Sequence, residues 1–248
     1  MSEVATTLLD GGVALVEMRR PPTNFFDEVL LTELADALLA LDEERQARAV
    51  VLCSEGKHFC AGADLRGMGA DGIRRVYRQA FRIFSGRTPV VAAVQGGAIG
   101  GGLGLAMAAD CRIAAPQARL TANFARLGFH QGFGLSVTLP AAVGQQRALE
   151  LLYTGKSVDG VTAHSIGLCD QIADDPRSAA VDFALQIAAS APLSLPAIRA
   201  TMRRSLVSDV AAALDLEATA QAALLDSEDF AEGVSASIQK RTPQFTGS

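Results

Sequence analysis

Residues 96–104 read G-G-A-I-G-G-G-L-G, one residue after the apolar run 89–94. Such a continuous apolar run is what a strand buried on both faces requires. Glycine is disfavoured inside helices and strands, so the chain must turn after it. Residues 105–109 (L-A-M-A-A) are then compatible with a helix. A phosphate-binding loop would need a lysine after the glycines, and none follows. A dinucleotide fingerprint belongs in the first strand–helix turn with an acid about 20 residues further on. This run lies deep in the chain, and Asp110 comes too soon. Two readings remain. A helix that starts among glycines leaves its first N–H groups unpaired and unshielded, which suits negative charge developing on a carbonyl oxygen. Alternatively, the glycines make a tight packing turn. The run alone does not choose between them.

A second loop favours the first reading. Residues 59–65 (F-C-A-G-A-D-L) follow another apolar run, Ala49–Ser54, in the same way. Two small-residue loops, each behind a buried strand, can offer one N–H apiece to a shared oxygen. Around them the chain reads as α/β. Val4–Leu9 and Val13–Met18 form a hairpin about Asp10-Gly11-Gly12. Asp27 caps a helix whose Leu30, Leu34, Leu38 and Leu41 share a face. Ile73, Val76, Tyr77, Ala80, Phe81 and Phe84 mark a second helix, and 111–115 a further strand. From residue 145 the pattern is helical over 145–153, 159–166, 178–189, 196–207, 210–225 and 229–241.

Composition narrows the partners. With 22 basic and 27 acidic side chains the net charge is −5, so no nucleic-acid surface is expected. The stretch 90–109 is apolar but broken by Gln95 and glycines, which argues against a membrane span. The first 17 residues lack a basic stretch followed by an apolar block, so a cytoplasmic protein is expected. Cys53, Cys60, Cys111 and Cys169 form no C-x-x-C pair and read as free thiols. With His58, His130 and His164 as the only histidines, no metal site is expected.

The linked motifs 59–65, 92–107 (A-A-V-Q-G-G-A-I-G-G-G-L-G-L-A-M), Ala109-Asp110, Leu127-Gly128, 152–155 (L-Y-T-G), Glu232-Gly233 and Lys240-Arg241-x-Pro243-x-Phe245 resemble the crotonase superfamily, the enoyl-CoA hydratase/isomerase family. That resemblance implies an α/β crotonase spiral of ββα units over 1–190. A helical C-terminal trimerisation region over 191–248 would follow, giving a homotrimer or hexamer. It also implies an acyl-CoA or acyl-carrier-protein thioester as substrate, with coenzyme A or phosphopantetheine arriving as part of that substrate and no other cofactor. By position, the oxyanion donors are the backbone N–H groups of Ala63 and Gly101. Ala61, Asp64, Leu65, Gly104, Asn123, Phe124 and Phe129 would line the thioester site.

One part of the family pattern is missing. Hydratases of the family use two glutamates; the matching positions here are Gly104 and Phe124. General acid–base groups contribute about 10²–10⁴-fold each, so water addition should be very weak. The nearest acids, Asp64 and Asp110, stand where the family has structural residues. The segment 121–134 (T-A-N-F-A-R-L-G-F-H-Q-G-F-G) is similar to the branch that decarboxylates 3-methylglutaconyl thioesters in polyketide assembly. That branch is thought to use a lysine in the loop before the Tyr77 helix, where this chain has Arg66 and no lysine. Phe124, Phe129 and Phe133 either pack or make a dry pocket lining. His130, placed by the resemblance beside the acyl pocket, is the candidate proton donor near neutral pH. Tyr77 reads as packing. Arg66, Arg74 and Arg126 read as surface residues that could hold a carboxylate or coenzyme phosphates. Cys60 is not expected to act as a nucleophile. The expected reaction is decarboxylation or double-bond isomerisation through an enolate. The alternatives are hydration with a non-standard acid/base and a non-catalytic thioester-binding protein.

Overall fold

The structure is a computed structural model that describes residues 2–45, 47–64 and 68–248. It begins with the hairpin β1 (Val4–Leu9) and β2 (Val13–Met18), antiparallel and paired Val4 with Met18 through Leu9 with Val13. Helix α1 (Glu28–Glu44) follows, capped by the Asp27 carboxylate, which accepts from the Leu30 N–H at 2.9 Å. Strand β3 (Ala49–Ser54) runs parallel to β2. Helix α2 (Ala70–Phe84) buries Ile73, Val76, Tyr77, Ala80, Ile83 and Phe84. Phe81, expected inside, lies at the edge of that face at 36% exposure, and Ile83 takes its place.

Next come β4 (Val90–Val94), β5 (Gly97–Ile99), α3 (Gly101–Ala108), β6 (Cys111–Ala114) and β7 (Arg119–Thr121). A single 3-10 turn, Phe124–Leu127, leads to α4 (Leu135–Val143) and α5 (Gln145–Thr154). The remainder is β8 (Ser157–Asp159), α6 (Gly160–Ser165), β9 (Gln171–Ile172), α7 (Pro176–Ala188), α8 (Ser194–Met202), α9 (Arg204–Leu224) and α10 (Glu228–Gln239). The large sheet has the order β1-β2-β3-β4-β6-β9 and the small one β5-β7-β8.

The two sheets are filled in alternation. β4 enters the large sheet and β5 the small one; β6 enters the large sheet and β7 the small one. The earlier turns do the same in miniature, because Phe26 bridges Ala63 and Cys60 bridges Ala98. The chain therefore winds as a spiral in which each turn leaves one strand in each layer. β3 and β4 are buried at every position because the large sheet is covered twice. Val13, Leu15, Ala49, Val51, Cys53, Val91 and Ala93 face α7, whose Ala180, Ala184 and Ala188 recur at i+4 and let the helix lie close. The alternate residues Ala14, Val16, Val50, Leu52, Ala92 and Val94 face the main core.

The sequence pattern does not reveal β5, β7, β8 or β9, which are three residues or fewer and carry no usable period. The break between the last long helices also differs from expectation. It falls at Arg203, not at 208–209, because Arg199 and Arg203 both turn inward to the Asp110 carboxylate, at 2.8 and 2.6 Å. Helix α9 packs along α2 and α4, and α10 covers the Phe124–Leu127 turn.

Candidate active site

The site is made where two turns of the spiral are zipped together. Phe59 N–H donates to Gln95 O, Cys60 N–H to Gly97 O and Ile99 N–H to Cys60 O. On the other side of the same segment, Phe26 N–H donates to Gly62 O and Asp64 N–H to Phe26 O, at 3.0 and 2.8 Å. In a parallel bridge the residue between those two bonds turns its own N–H to the opposite side. That residue is Ala63. Gly101 is the first residue of α3, where a helical N–H has no partner in its own helix. Among the described residues, neither the Ala63 nor the Gly101 N–H meets an acceptor.

The two nitrogens lie at one place. A Cβ built on Gly101 would sit 3.8 Å from Ala63 N, and one built on Gly62 would sit 3.8 Å from Gly101 N. Glycine is required for this approach. Gly62 has φ of 109° and Gly100 φ of 54°, both left-handed. A Cβ on Gly102 would sit 2.1 Å from the Cys60 carbonyl oxygen, a clash with backbone that no rotamer relieves. Gly102→Ala should therefore push the two loops apart. Urea unfolding is expected to show a loss of about 1–3 kcal/mol or more; an unchanged midpoint would contradict the close approach.

The candidate residues fall into three groups. Ala61, Ala63, Asp64 and Gly101 form the half-exposed mouth, with the Ala61 N–H donating to Thr23 O at 2.9 Å. Asn123 and Phe124 lie over the preceding residue, since a Cβ on Gly100 would stand 3.2 Å from Asn123 Oδ1 and 3.7 Å from Phe124 Cζ. The Asn123 side-chain amide makes no hydrogen bond among the described residues and is half-exposed. His130 is half-exposed, with Nδ1 2.7 Å from Gln131 O, which assigns the ring proton to Nδ1 and leaves Nε2 open.

Other candidates are placed elsewhere. The Phe129 ring stacks on Phe230 of α10, centroids 4.5 Å apart. Gly104 is buried, and the space beside it is taken by Phe133, whose Cβ lies 2.5 Å from where a Cβ on Gly104 would be. Phe133 itself is buried, between Phe26 and Phe84. Arg126 is tied to Thr154 O at 2.6 Å, and Arg74 is a solvent-facing partner of Asp71. Leu65 and Arg66 lie outside the described residues. Tyr77 is buried and its hydroxyl donates to Gln221 Oε1 at 2.8 Å, while burial pushes it well above its ordinary pKa. All four cysteines are free, and burial pushes the Cys60 thiol up to about 12, so it is not a nucleophile. Asp110 is consumed by Arg199, Arg203 and the Val90 N–H.

The acid that sequence reading does not single out is Glu217 of α9, fully buried. Its oxygens accept from Gly134 and Ser136 N–H, at 2.8 and 3.0 Å, at the start of α4. Burial raises its pKa against the pull of those two N–H groups. With both oxygens engaged it serves the fold of the 130–136 loop and is not a free base. Its signal was spacing: Val210, Leu214, Glu217, Ala218 and Gln221 are all buried on one face of α9. Among the described residues no cluster of His, Cys, Asp and Glu can hold a metal, and no helix is long and apolar enough to cross a membrane.

Comparison with known proteins agrees with this fold. The family model described as Enoyl-CoA hydratase/isomerase matches residues 9–248. The chain is 34% identical over 250 residues to a probable enoyl-CoA hydratase of Bacillus subtilis, covering 96% of this chain and 97% of that one. It is 31% identical to the 1,2-epoxyphenylacetyl-CoA isomerase of Escherichia coli over the full length of both. A crystal structure of an enoyl-CoA hydratase/isomerase from Pseudoalteromonas atlantica superposes with a TM-score of 0.88 at 32% identity, covering 98% of this chain and all of that one.

Proposed function

The chain belongs to the enoyl-CoA hydratase/isomerase family, and on that premise we propose that it moves a double bond within an acyl thioester by way of an enolate, without adding water. The observation that carries this reading is the pair of unused N–H groups of Ala63 and Gly101, held together by the zipped loops. They receive the thioester carbonyl oxygen and stabilise it as charge flows in from the α-carbon. A donor of this kind is worth about 2.7–4 kcal/mol in the transition state. Isomerisation needs one proton taken from one carbon and returned to another, which a single carrier can do. His130 Nε2 is that carrier, and Asn123 orients the acyl part with its free amide.

Water addition asks for more. By the resemblance, the family's two carboxylates match Gly104, which lies under Phe133, and Phe124. Relatives named hydratases keep that reading in view, but in this chain it would require a non-standard acid/base. Decarboxylation is the second reading, favoured by the Asn123 amide, which can donate to a carboxylate. It ranks below isomerisation because Arg126 and Arg74 already hold partners of their own, Thr154 O and Asp71. The coenzyme A or phosphopantetheine arm is part of the substrate, carried free or on a carrier protein. Residues 191–248 supply the helices through which a trimer would form.

A panel of α,β-enoyl, β,γ-enoyl and dicarboxylic acyl-CoAs tests this, with water addition and CO2 loss read by mass and double-bond position by proton NMR. Exchange between α,β- and β,γ-enoyl-CoA is expected, with little mass gain from water. Rapid hydration of crotonyl-CoA would overturn the reading. Coenzyme A binding without any turnover would leave a non-catalytic thioester-binding protein. His130→Ala should slow isomerisation with little change in KM; an unchanged rate removes His130 from the mechanism.

A further inference from the structure

Phe133 has φ of 60°, a left-handed conformation that a bulky side chain rarely adopts. Such a residue persists only where its surroundings over-determine it, and the outlier points to a role. Here the restraint is visible. Gln221 Nε2 donates to His130 O at 2.9 Å, and Glu217 accepts from Gly134 and Ser136. The Tyr77 hydroxyl, bonded to Gln221, stands 1.8 Å from where a Cβ on Gly132 would be. Helices α2 and α9 thus fix the 130–136 loop from both sides.

What the loop delivers is the Phe133 ring. It lies 5.2 Å from the Phe26 ring and 6.3 Å from the Phe84 ring, centroid to centroid. Phe26 in turn lies under Gly101, with its Cζ 2.6 Å from where a Cβ would be. Phe133 also covers Gly104, which shares a helix face with Gly101 and lies about 4.5 Å further along α3. An acyl chain that leaves the carbonyl at Gly101 and runs along α3 therefore meets Phe133 within a few carbons.

We propose that Phe133 is a specificity-determining residue that closes the acyl site and restricts this protein to short-chain acyl thioesters. This rests on the thioester reading above. Its Cβ, carbonyl oxygen and Cγ, at 2.5, 3.0 and 3.1 Å, stand where a side chain at position 104 would begin, and the ring carried on that Cγ limits a longer chain. Its strained backbone fixes the depth of the site, since neither the loop nor the ring can withdraw while Glu217 and Gln221 hold.

The test is binding, not turnover, so that it stands apart from the chemistry. Dissociation constants for saturated straight-chain acyl-CoAs of increasing length are measured by calorimetry with the wild type, Phe133→Leu and Phe133→Ala. The wild type should bind short chains and lose affinity as the chain lengthens. Phe133→Ala should improve the long-to-short affinity ratio by at least about tenfold, in line with about 10–200-fold per methylene fitted or excluded in apolar pockets. Phe133→Leu, which keeps the site apolar if the alanine variant does not fold, should shift the ratio in the same direction by less. A purely packing role would lower thermal stability and leave the ratio unchanged, which overturns the proposal. Binding of no acyl-CoA by any of the three overturns the thioester reading as well.

Discussion

Ala63→Pro is expected to lower kcat by about 10²–10³-fold while the protein remains folded. The asymmetry comes from the bridge to Phe26. The bonds that hold this segment use Gly62 O and the Asp64 N–H, and none among the described residues uses the Ala63 N–H. Proline removes that one donor and nothing else from the hydrogen-bond pattern. The residue before it, Gly62, already has backbone freedom that proline's neighbour would otherwise lack. Ala63→Ser keeps the N–H and adds comparable bulk, so it should retain most of the activity. Steady-state kinetics on both variants, with a thermal melt of each, separates donor loss from misfolding. Equal activity in Ala63→Pro and Ala63→Ser would show that the N–H does not act.

Asp110→Asn should cost about 3–5 kcal/mol of stability at neutral pH. The Asp110 carboxylate is the shared counter-charge of Arg199 and Arg203, whose side chains are 5% and 12% exposed. It also accepts from the Val90 N–H, so it joins the large sheet, the end of α3 and the start of α9. Without its charge, two guanidinium groups are left buried and unbalanced. Burial pushes the Asp110 carboxyl up, but Arg199 and Arg203 outweigh it and hold the group below the usual carboxylate range. The sign follows. A depressed folded-state pKa gives stability that is present above the unfolded value of about 4 and lost as pH falls through the folded one. Urea unfolding at pH 7 and pH 3 should therefore show a large difference between wild type and Asp110→Asn at the higher pH and a smaller one at the lower. A gap that does not narrow in acid would contradict the assignment.

The long elements were legible because their patterns are strong. Ala49–Ser54 and the hairpin pair Val4–Leu9 and Val13–Met18 appear at the residues where apolar runs and the Asp10-Gly11-Gly12 turn place them. The glycine loop was legible as a donor site only in combination with 59–65, since one loop alone also describes a packing turn. The hidden parts were decided by residues distant in sequence. Arg203 ends α8 because of Asp110. Phe129 stacks on Phe230, and Phe133 lies on Gly104 because Glu217 and Gln221 hold its loop. None of these contacts leaves a periodic trace. Glu217 and Gln221, polar residues on the buried stripe of α9, were the sign that something inside needed them.

The carbonyl stretch of a bound, unreactive acyl-CoA tests the central claim most directly. Two N–H donors on one thioester oxygen polarise the C=O bond, so isotope-edited infrared difference spectra should show the band shifted to lower frequency on binding. The shift should shrink in Ala63→Pro and persist in Ala63→Ser. A bound thioester whose carbonyl band stays at its solution frequency would mean that Ala63 and Gly101 do not meet the oxygen.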